Sequence, residues 1–99
     1  MEMNIQRDGT TLTVTPVGRI DTLTAPEFQQ QMEAEMGDVK DLIIDFSQGT
    51  YVSSAGLRVL LALAQMMEDR DGTIKAVNVS DFLHKAFALT GFLEILNVD

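Results

Sequence analysis

The residues with the clearest potential for chemistry are two adjacent serines, Ser53 and Ser54, where a polar loop meets a predicted helix. Serine is a favoured helix N-cap, so one of the two hydroxyls is expected to accept a hydrogen bond from the first helical turn. The second interpretation is a phosphorylation site, because a helix N-terminus carries partial positive charge and free N–H groups that accommodate a phosphate. The two interpretations are compatible.

Helical geometry distinguishes the two hydroxyls. When the helix is extended back at about 100° per residue, Ser54 falls beside Arg58, on the polar side of the helix, whereas Ser53 falls toward the apolar side that carries Leu57 and Leu60. Ser54 is therefore the preferred phosphorylation candidate and Ser53 the second choice. Arg58 could pair with a phosphate or with an acid of a partner protein, or it could be an ordinary exposed helix arginine.

The sequence contains few residues from which a catalytic site could be built. The only histidine is His84, which lies in a predicted helix, so a Ser-His-Asp set with Ser54 as the nucleophile has no other candidate base. Gly49 and Gly56 do not have the spacing of a phosphate-binding loop. There is no cysteine, and the acidic clusters at residues 33–35 and 68–71 lack companion metal ligands. We therefore predict no catalytic residue, no metal site, no cofactor and no enzymatic activity.

Charge and composition restrict the class of partner. The 99 residues carry a net charge of −8, which disfavours nucleic acid and anionic membranes because phosphate binding needs clustered Lys and Arg. The acidity permits a basic partner surface or serves solubility alone. No apolar run is long enough to span a bilayer and the N-terminus lacks the features of a signal peptide, so we expect a cytoplasmic protein with a single domain, residues 1–99.

The predicted elements that must position these serines form an α/β fold. Two alternating segments around Asp8-Gly9 predict an N-terminal antiparallel hairpin. Thr24 and Glu27 have capping-box spacing, with Leu23 and Phe28 as a hydrophobic staple, and predict a helix that ends near Gly37. The apolar run at residues 42–46 predicts a parallel strand buried on both faces.

The second half of the chain continues the alternation of helices and strands. We predict a helix at residues 55–70, a strand at 74–79, a helix capped by Ser80 or Asp81, and an ambiguous last segment at 92–98 that could be a strand. The first of these helices is unusually apolar, and an edge near Val59, Leu63 and Met66 is either buried or exposed for a partner. The order implies a mixed sheet with helical crossovers and helices packed on the sheet.

The sequence resembles the STAS domain family, and specifically its bacterial anti-sigma factor antagonists. The resemblance rests on the segment from Asp45 to Leu61, with Ser53-Ser54-Ala55-Gly56-Leu57 at its centre, and on Gly18-Arg19-Ile20-Asp21 before the first helix. The order of elements agrees as well, so the likeness covers essentially the whole chain. Familiar antagonists carry Asp-Ser-Ser-Gly-Leu, so here Ser53 replaces the acid and Ala55 the second serine.

The resemblance implies a mechanism of partner switching. The unphosphorylated antagonist binds an anti-sigma factor that is also a serine kinase, the kinase phosphorylates it, and a serine phosphatase reverses the modification. By position the phosphoserine falls on Ser54, and Asp21 is implied to lie at the partner surface together with Ser53, Ser54, Gly56 and Arg58. The alternative for Asp21 is a loop-capping role. The alternative for the protein is a non-switching STAS subunit of a larger complex, such as a stressosome-like or lipid-transport assembly; the oligomeric state stays open.

Overall fold

Ten helices and strands form the fold in a computed structural model that describes residues 1–99. In chain order they are β1 (Met3–Asp8), β2 (Thr11–Pro16), β3 (Gly18–Ile20), α1 (Ala25–Glu35), β4 (Asp41–Asp45), β5 (Gly49–Val52), α2 (Ser54–Asp69), β6 (Thr73–Val77), α3 (Asp81–Thr90) and α4 (Phe92–Ile95). This alternation of strands and helices confirms the predicted α/β class.

The main sheet has the order β1-β2-β4-β6. The pair β1–β2 is antiparallel, and Asp8 pairs with Thr11, so the two turn residues are Gly9 and Thr10 and not the predicted Asp8 and Gly9. Gly9 has a φ of 62°, which a tight hairpin turn requires. The β2–β4 and β4–β6 pairs are parallel, which confirms the mixed sheet.

One face of this sheet carries the core. Side chains from β2, β4 and β6 join the buried faces of the helices in a single hydrophobic cluster, with Leu12, Leu42, Ile44 and Ala76 fully buried. The opposite face is only partly covered, and Ile43 is half-buried there. The prediction that β4 is buried on both faces is therefore wrong, although its parallel pairing is right. A run of hydrophobic residues does not show whether a second layer of helices covers the sheet.

The two long helices pack mainly as their apolar spacing predicts. In α1, Phe28, Met32 and Met36 are buried, and Gly37 follows the last residues of the helix. In α2, Val59 and Leu63 are 5% and 1% exposed, so the alternative of an exposed apolar edge near these residues is wrong. The broad apolar arc of α2 arises because the helix packs on α1 and on the sheet.

The last part of the chain is helical. Ser80 caps α3, as predicted, and its hydroxyl accepts from the Leu83 N–H at 3.2 Å. Phe92 begins α4 after Gly91, so the suggestion of a final strand is wrong. The residues that follow α4 lie along the outer edge of β6, where the Ala76 N–H donates to the Leu96 carbonyl at 3.0 Å.

The end of α2 is tied to the end of α1 by one side chain. Arg70 Nη1 donates to the carbonyls of Met36, Gly37 and Val39 at 2.6, 3.1 and 3.0 Å. These carbonyls lie just beyond α1, where the helix itself supplies no donors. Arg70 therefore holds the α1–β4 connection against α2.

We expect Arg70→Met to lower the free energy of unfolding by about 1–3 kcal/mol, because the carbonyls of this connection lose a charged donor. Urea denaturation followed by circular dichroism measures the change. Arg58→Met is the matched control, because Arg58 makes no hydrogen bond or ion pair, and its effect should stay within about 0.5 kcal/mol. Equal effects of the two substitutions would contradict this role for Arg70.

Candidate functional site

A second, two-stranded sheet brings the two loops of the candidate site together. Strands β3 and β5 are parallel, with Ile20 opposite Val52, and the Ser53 N–H donates to the Ile20 carbonyl at 2.8 Å. Because parallel strands end at the same edge, Asp21 and Ser53 leave the sheet side by side. The sequence analysis missed both strands, since three or four residues with mixed polarity give no readable alternation.

The two serines have different roles. Ser53 is the N-cap of α2 in an extended conformation (φ −84°, ψ 177°), and its hydroxyl accepts from the Gly56 N–H at 3.3 Å. Ser54 is the first residue of α2; it is exposed, and its hydroxyl makes no hydrogen bond. This agrees with the expectation that Ser54 has the more accessible hydroxyl. Its phosphorylation stays a prediction at this point.

Gly56 allows α2 to approach the small sheet. A Cβ atom at this position would lie 2.7 Å from the Ile20 carbonyl oxygen and 2.8 Å from Val52 Cγ1. Gly56 is buried, so it lies behind the surface formed by its neighbours and has a packing role. Its predicted contribution to partner binding would then be indirect, through the position it gives to Ser54.

The loop before α1 is organised by Asp21 and not by the predicted capping box. The Thr24 side chain makes no cap hydrogen bond; its hydroxyl donates to the Arg19 carbonyl at 2.8 Å and accepts from the Asp21 N–H at 2.9 Å. The Asp21 carboxylate accepts from the N–H groups of Leu23 and Thr24 at 3.0 and 3.1 Å. Spacing alone could not show this, because the Asp21 carboxylate takes the Thr24 N–H that Glu27 would accept in a capping box.

The predicted hydrophobic staple is also absent. Leu23 is 87% exposed, whereas its proposed partner Phe28 is fully buried. The loop turns Leu23 outward because the Leu23 backbone N–H is held by Asp21. An exposed leucine therefore lies two residues from Asp21, on the loop that adjoins the Ser53–Ser54 turn.

Two further residues surround Asp21, and the sequence analysis did not single them out. Arg19 Nε donates to Asp21 Oδ2 at 3.2 Å, and its guanidinium carbon lies 4.4 Å from the centroid of the Tyr51 ring. Arg19 and Tyr51 are opposite each other in the small sheet, which explains the cation–π contact. The alternation of Arg19 and Asp21 on one side of an extended strand is the signal that could have revealed the pair.

Neighbouring hydrogen-bond donors stabilise the ionised form of the Asp21 carboxyl group. The backbone N–H of Thr24 and the guanidinium of Arg19 lower the pKa of the Asp21 carboxyl below its usual value of 3.8. Hydrogen bonds to a carboxylate favour its charged form. A permanent negative charge therefore lies at the edge of the small sheet, next to the turn that carries Ser54.

A shallow groove of about 410 Å³ runs between the first turns of α1 and α2. Arg58 is exposed at this groove and is its only charged lining residue. The remaining lining residues are Thr22, Ala25, Pro26, Gln29, Ala55, Val59 and Ala62. Arg58 thus lies where the groove meets the helical face that carries Ser54.

The other sequence candidates lie apart from this arrangement. His84 is exposed on α3 and makes no side-chain hydrogen bond. No three of the His, Asp and Glu side chains are grouped so that they could hold a metal ion. No helix combines the length with the apolar character needed to cross a membrane. Of the predicted residues, Asp21, Ser53, Ser54 and Gly56 lie where β3 and β5 end, and Arg58 lies one turn further along α2, beside the groove.

Comparisons with known proteins concern the family and the fold of the chain. The family model described as the STAS domain matches residues 2–99. An anti-sigma-B factor antagonist of Bacillus subtilis is 24% identical over 98 residues, which cover 99% of this chain and 90% of the relative.

Among solved structures, an anti-sigma factor antagonist from Mycobacterium paratuberculosis superposes with a TM-score of 0.85 at 24% identity, over 98% of this chain and 83% of the other. The Bacillus cell fate determinant SpoIIAA in its phosphorylated form gives a TM-score of 0.76 at 17% identity, over 99% of this chain and 91% of the other. At these identities the two structures show a shared fold.

We expect Gly56→Ala to destabilise the protein by about 1–3 kcal/mol, because the added methyl group overlaps a backbone carbonyl that cannot move aside freely. Urea denaturation measures the loss. Gly37→Ala is the control, since a Cβ there meets nothing within 4 Å. A Gly56→Ala protein as stable as Gly37→Ala would show that α2 can shift away from β3.

The lowered pKa of Asp21 predicts a pH dependence of stability. The folded state holds the proton less tightly than the unfolded state, so this stabilisation is present above the ordinary carboxyl pKa and is lost as the pH falls through the folded value. Between about pH 5 and pH 2, Asp21→Asn should therefore show a shallower loss of stability than the wild type. Asp69→Asn, which removes an exposed charge, is the control, and identical slopes for all three proteins would contradict the prediction.

Proposed function

This chain belongs to the STAS domain family, and on that premise we propose that it is an anti-sigma factor antagonist controlled by phosphorylation of Ser54. In its unmodified form it binds an anti-sigma factor, which then releases a sigma factor for transcription. Phosphorylation of Ser54 ends this binding. The protein acts as a binding switch in the cytoplasm and performs no catalysis itself.

The observation that carries the proposal is the exposed and unengaged hydroxyl of Ser54 at the first position of α2. The neighbouring Ser53 hydroxyl is already used as the cap of the same helix. A kinase can therefore reach Ser54 without opening the helix. The relative named as an anti-sigma-B factor antagonist, and the SpoIIAA structure in a phosphorylated form, support the same role.

The replacements in the Ser53–Leu57 segment are compatible with this function. Aspartate and serine are both favoured N-caps, so Ser53 serves the structural role of the acid found in familiar antagonists. Ala55 is half-buried and lines the groove between α1 and α2. Regulation through Ser54 alone needs neither the acid nor the second serine.

A phosphate on Ser54 would change the surface without a change of fold. It adds about −1.5 to −2 charges next to the carboxylate of Asp21. A partner surface that fits the unmodified Ser54 would have to accept this charge and remove its water on binding. Like charges and buried unpaired groups weaken an interface strongly.

We extend the proposal to the enzymes of the circuit, as the resemblance to anti-sigma factor antagonists implies. The anti-sigma factor is itself the serine kinase that modifies Ser54, and a metal-dependent serine phosphatase restores the binding form. The exposed Leu23, on the loop organised by Asp21, supplies an apolar contact at the same surface. The binding surface then combines a leucine, a fixed negative charge and the regulated serine.

We expect Ser54→Asp to weaken binding of the anti-sigma factor at least about tenfold, which corresponds to about 1.4 kcal/mol, while Ser54→Ala binds like the wild type. The three proteins are used as baits in a pull-down from native lysate after circular dichroism has shown that they fold alike. Captured proteins are identified by mass spectrometry and their affinities measured with purified components.

Ser80→Asp is the matched control for charge. It adds the same group at the cap of α3, where aspartate is also a favoured residue, and should leave binding unchanged. A kinase-fold protein released only by Ser54→Asp supports the switch. Equal capture by all baits, with stressosome or transporter subunits as the captured proteins, would replace it with a constitutive STAS scaffold.

A further inference from the structure

Arg58 is unusual among the arginines of this acidic chain. The sequence has 15 acidic and 7 basic side chains, and Arg7, Arg19 and Arg70 all make hydrogen bonds. Arg58, the remaining arginine, is exposed and has no hydrogen bond, ion pair or aromatic ring as a partner, although the chain as a whole is acidic. An arginine is suited to planar recognition of carboxylate and phosphate groups, so this one is free to bind such a group.

The position of Arg58 relates it to Ser54. The two residues are separated by one helical turn, about 40° apart around α2, and residues at this spacing have Cβ atoms about 5–6 Å apart. A phosphate on Ser54 would present three acceptor oxygens within reach of the guanidinium, which can form two parallel hydrogen bonds. No other basic side chain shares this helix face, since the residues that follow along it are Leu61, Ala62, Gln65 and Asp69.

Arg58 also belongs to the groove between α1 and α2. Its groove neighbours Ala55 and Ala62 lie on the side of the helix away from Ser54, so Arg58 separates the groove from the serine. The groove has an apolar floor, which includes the buried side chains of Ala25 and Val59, and a single positive charge. This chemistry fits a partner segment that presents a carboxylate beside a small apolar side chain.

We propose that Arg58 is shared between two ligands: it pairs with an acidic side chain of the anti-sigma factor in the α1–α2 groove when Ser54 is unmodified, and with the phosphate of Ser54 when the serine is phosphorylated. This rests on the proposed function of the protein. Arg58 then acts as a specificity residue for the partner and as the group through which phosphorylation weakens docking.

The exchange has a direct physical consequence for binding. The phosphate is attached one turn away, so it competes for Arg58 at a high effective concentration. The partner's carboxylate loses its counter-charge and faces the phosphate instead. An acidic group left unpaired in an interface costs more than the original pair contributed, because it has already lost its water.

The first test needs no partner. Phosphoserine is incorporated at position 54 during synthesis, and the second ionisation of the phosphate, which has a pKa of about 6 in the absence of nearby charges, is titrated by phosphorus NMR. Contact with Arg58 favours the dianion, so Arg58→Gln should raise this pKa by roughly 0.5 units and Arg58→Lys by less. Lys85→Gln removes the same charge from an unpaired lysine on α3 and should change nothing. Equal pKa values in the wild type and Arg58→Gln would overturn the phosphate contact.

The second test uses the anti-sigma factor identified by pull-down. For unmodified protein, Arg58→Gln should weaken binding about tenfold and reduce its dependence on salt, whereas Lys85→Gln should not. Phosphoserine at position 54 should then weaken the Arg58→Gln protein by a smaller factor than the wild type. Wild-type affinity in Arg58→Gln, or an undiminished effect of the phosphate, would overturn the sharing of Arg58.

The two tests separate this proposal from the function on which it rests. If phosphoserine at position 54 leaves wild-type binding unchanged, the switch itself is wrong, whatever the NMR titration shows. If phosphoserine weakens binding by the same factor in the wild type and in Arg58→Gln, the switch holds and the role of Arg58 is wrong. Circular dichroism of each variant excludes unfolding as the cause.

Discussion

The contact between Gly56 and strand β3 is the constraint on which the site depends. The first turn of α2 lies so close to the Ile20 carbonyl that even a methyl group has no room. This approach, together with the hydrogen bond from Ser53 to Ile20, joins the start of α2 to the loop that begins at Asp21. Two loops separated by some thirty residues in sequence thereby form one rigid edge, on which the Ser54 hydroxyl is left without a hydrogen bond.

The division of roles at this edge follows from competition for hydrogen bonds. Ser53 satisfies a backbone donor of α2, and Asp21 satisfies two donors before α1. Once these groups are engaged, Ser54 and Arg58 remain as exposed polar side chains of the helix start without partners. A modification of Ser54 can therefore change the charge of the surface while the cap that supports the helix stays intact.

The sequence predicted the larger elements well because their patterns extend over several residues. The hairpin, the stripe of Phe28, Met32 and Met36, the long helix α2 and the Ser80 cap all rest on such patterns. The prediction was wrong where two local signals competed. Thr24 and Glu27 have capping-box spacing, but Asp21 accepts from the Thr24 N–H, and its bond to the Leu23 N–H turns Leu23 outward. The final segment, ambiguous in the sequence, forms a short helix, and its backbone hydrogen bonds with β6 come only after that helix.

For the site, the sequence by itself determined the residue types and one angular relation: two serines at a helix start, with Arg58 on the polar face beside Ser54. These follow from the 3.6-residue period of a helix, which needs no knowledge of the rest of the chain. Only the tertiary structure decided that Asp21 belongs to the same edge, that Arg19 pairs with it over Tyr51, and that a groove opens beside Arg58. These relations depend on the pairing of β3 with β5 and on the packing of α1 against α2, and both are contacts between segments that lie far apart in the chain.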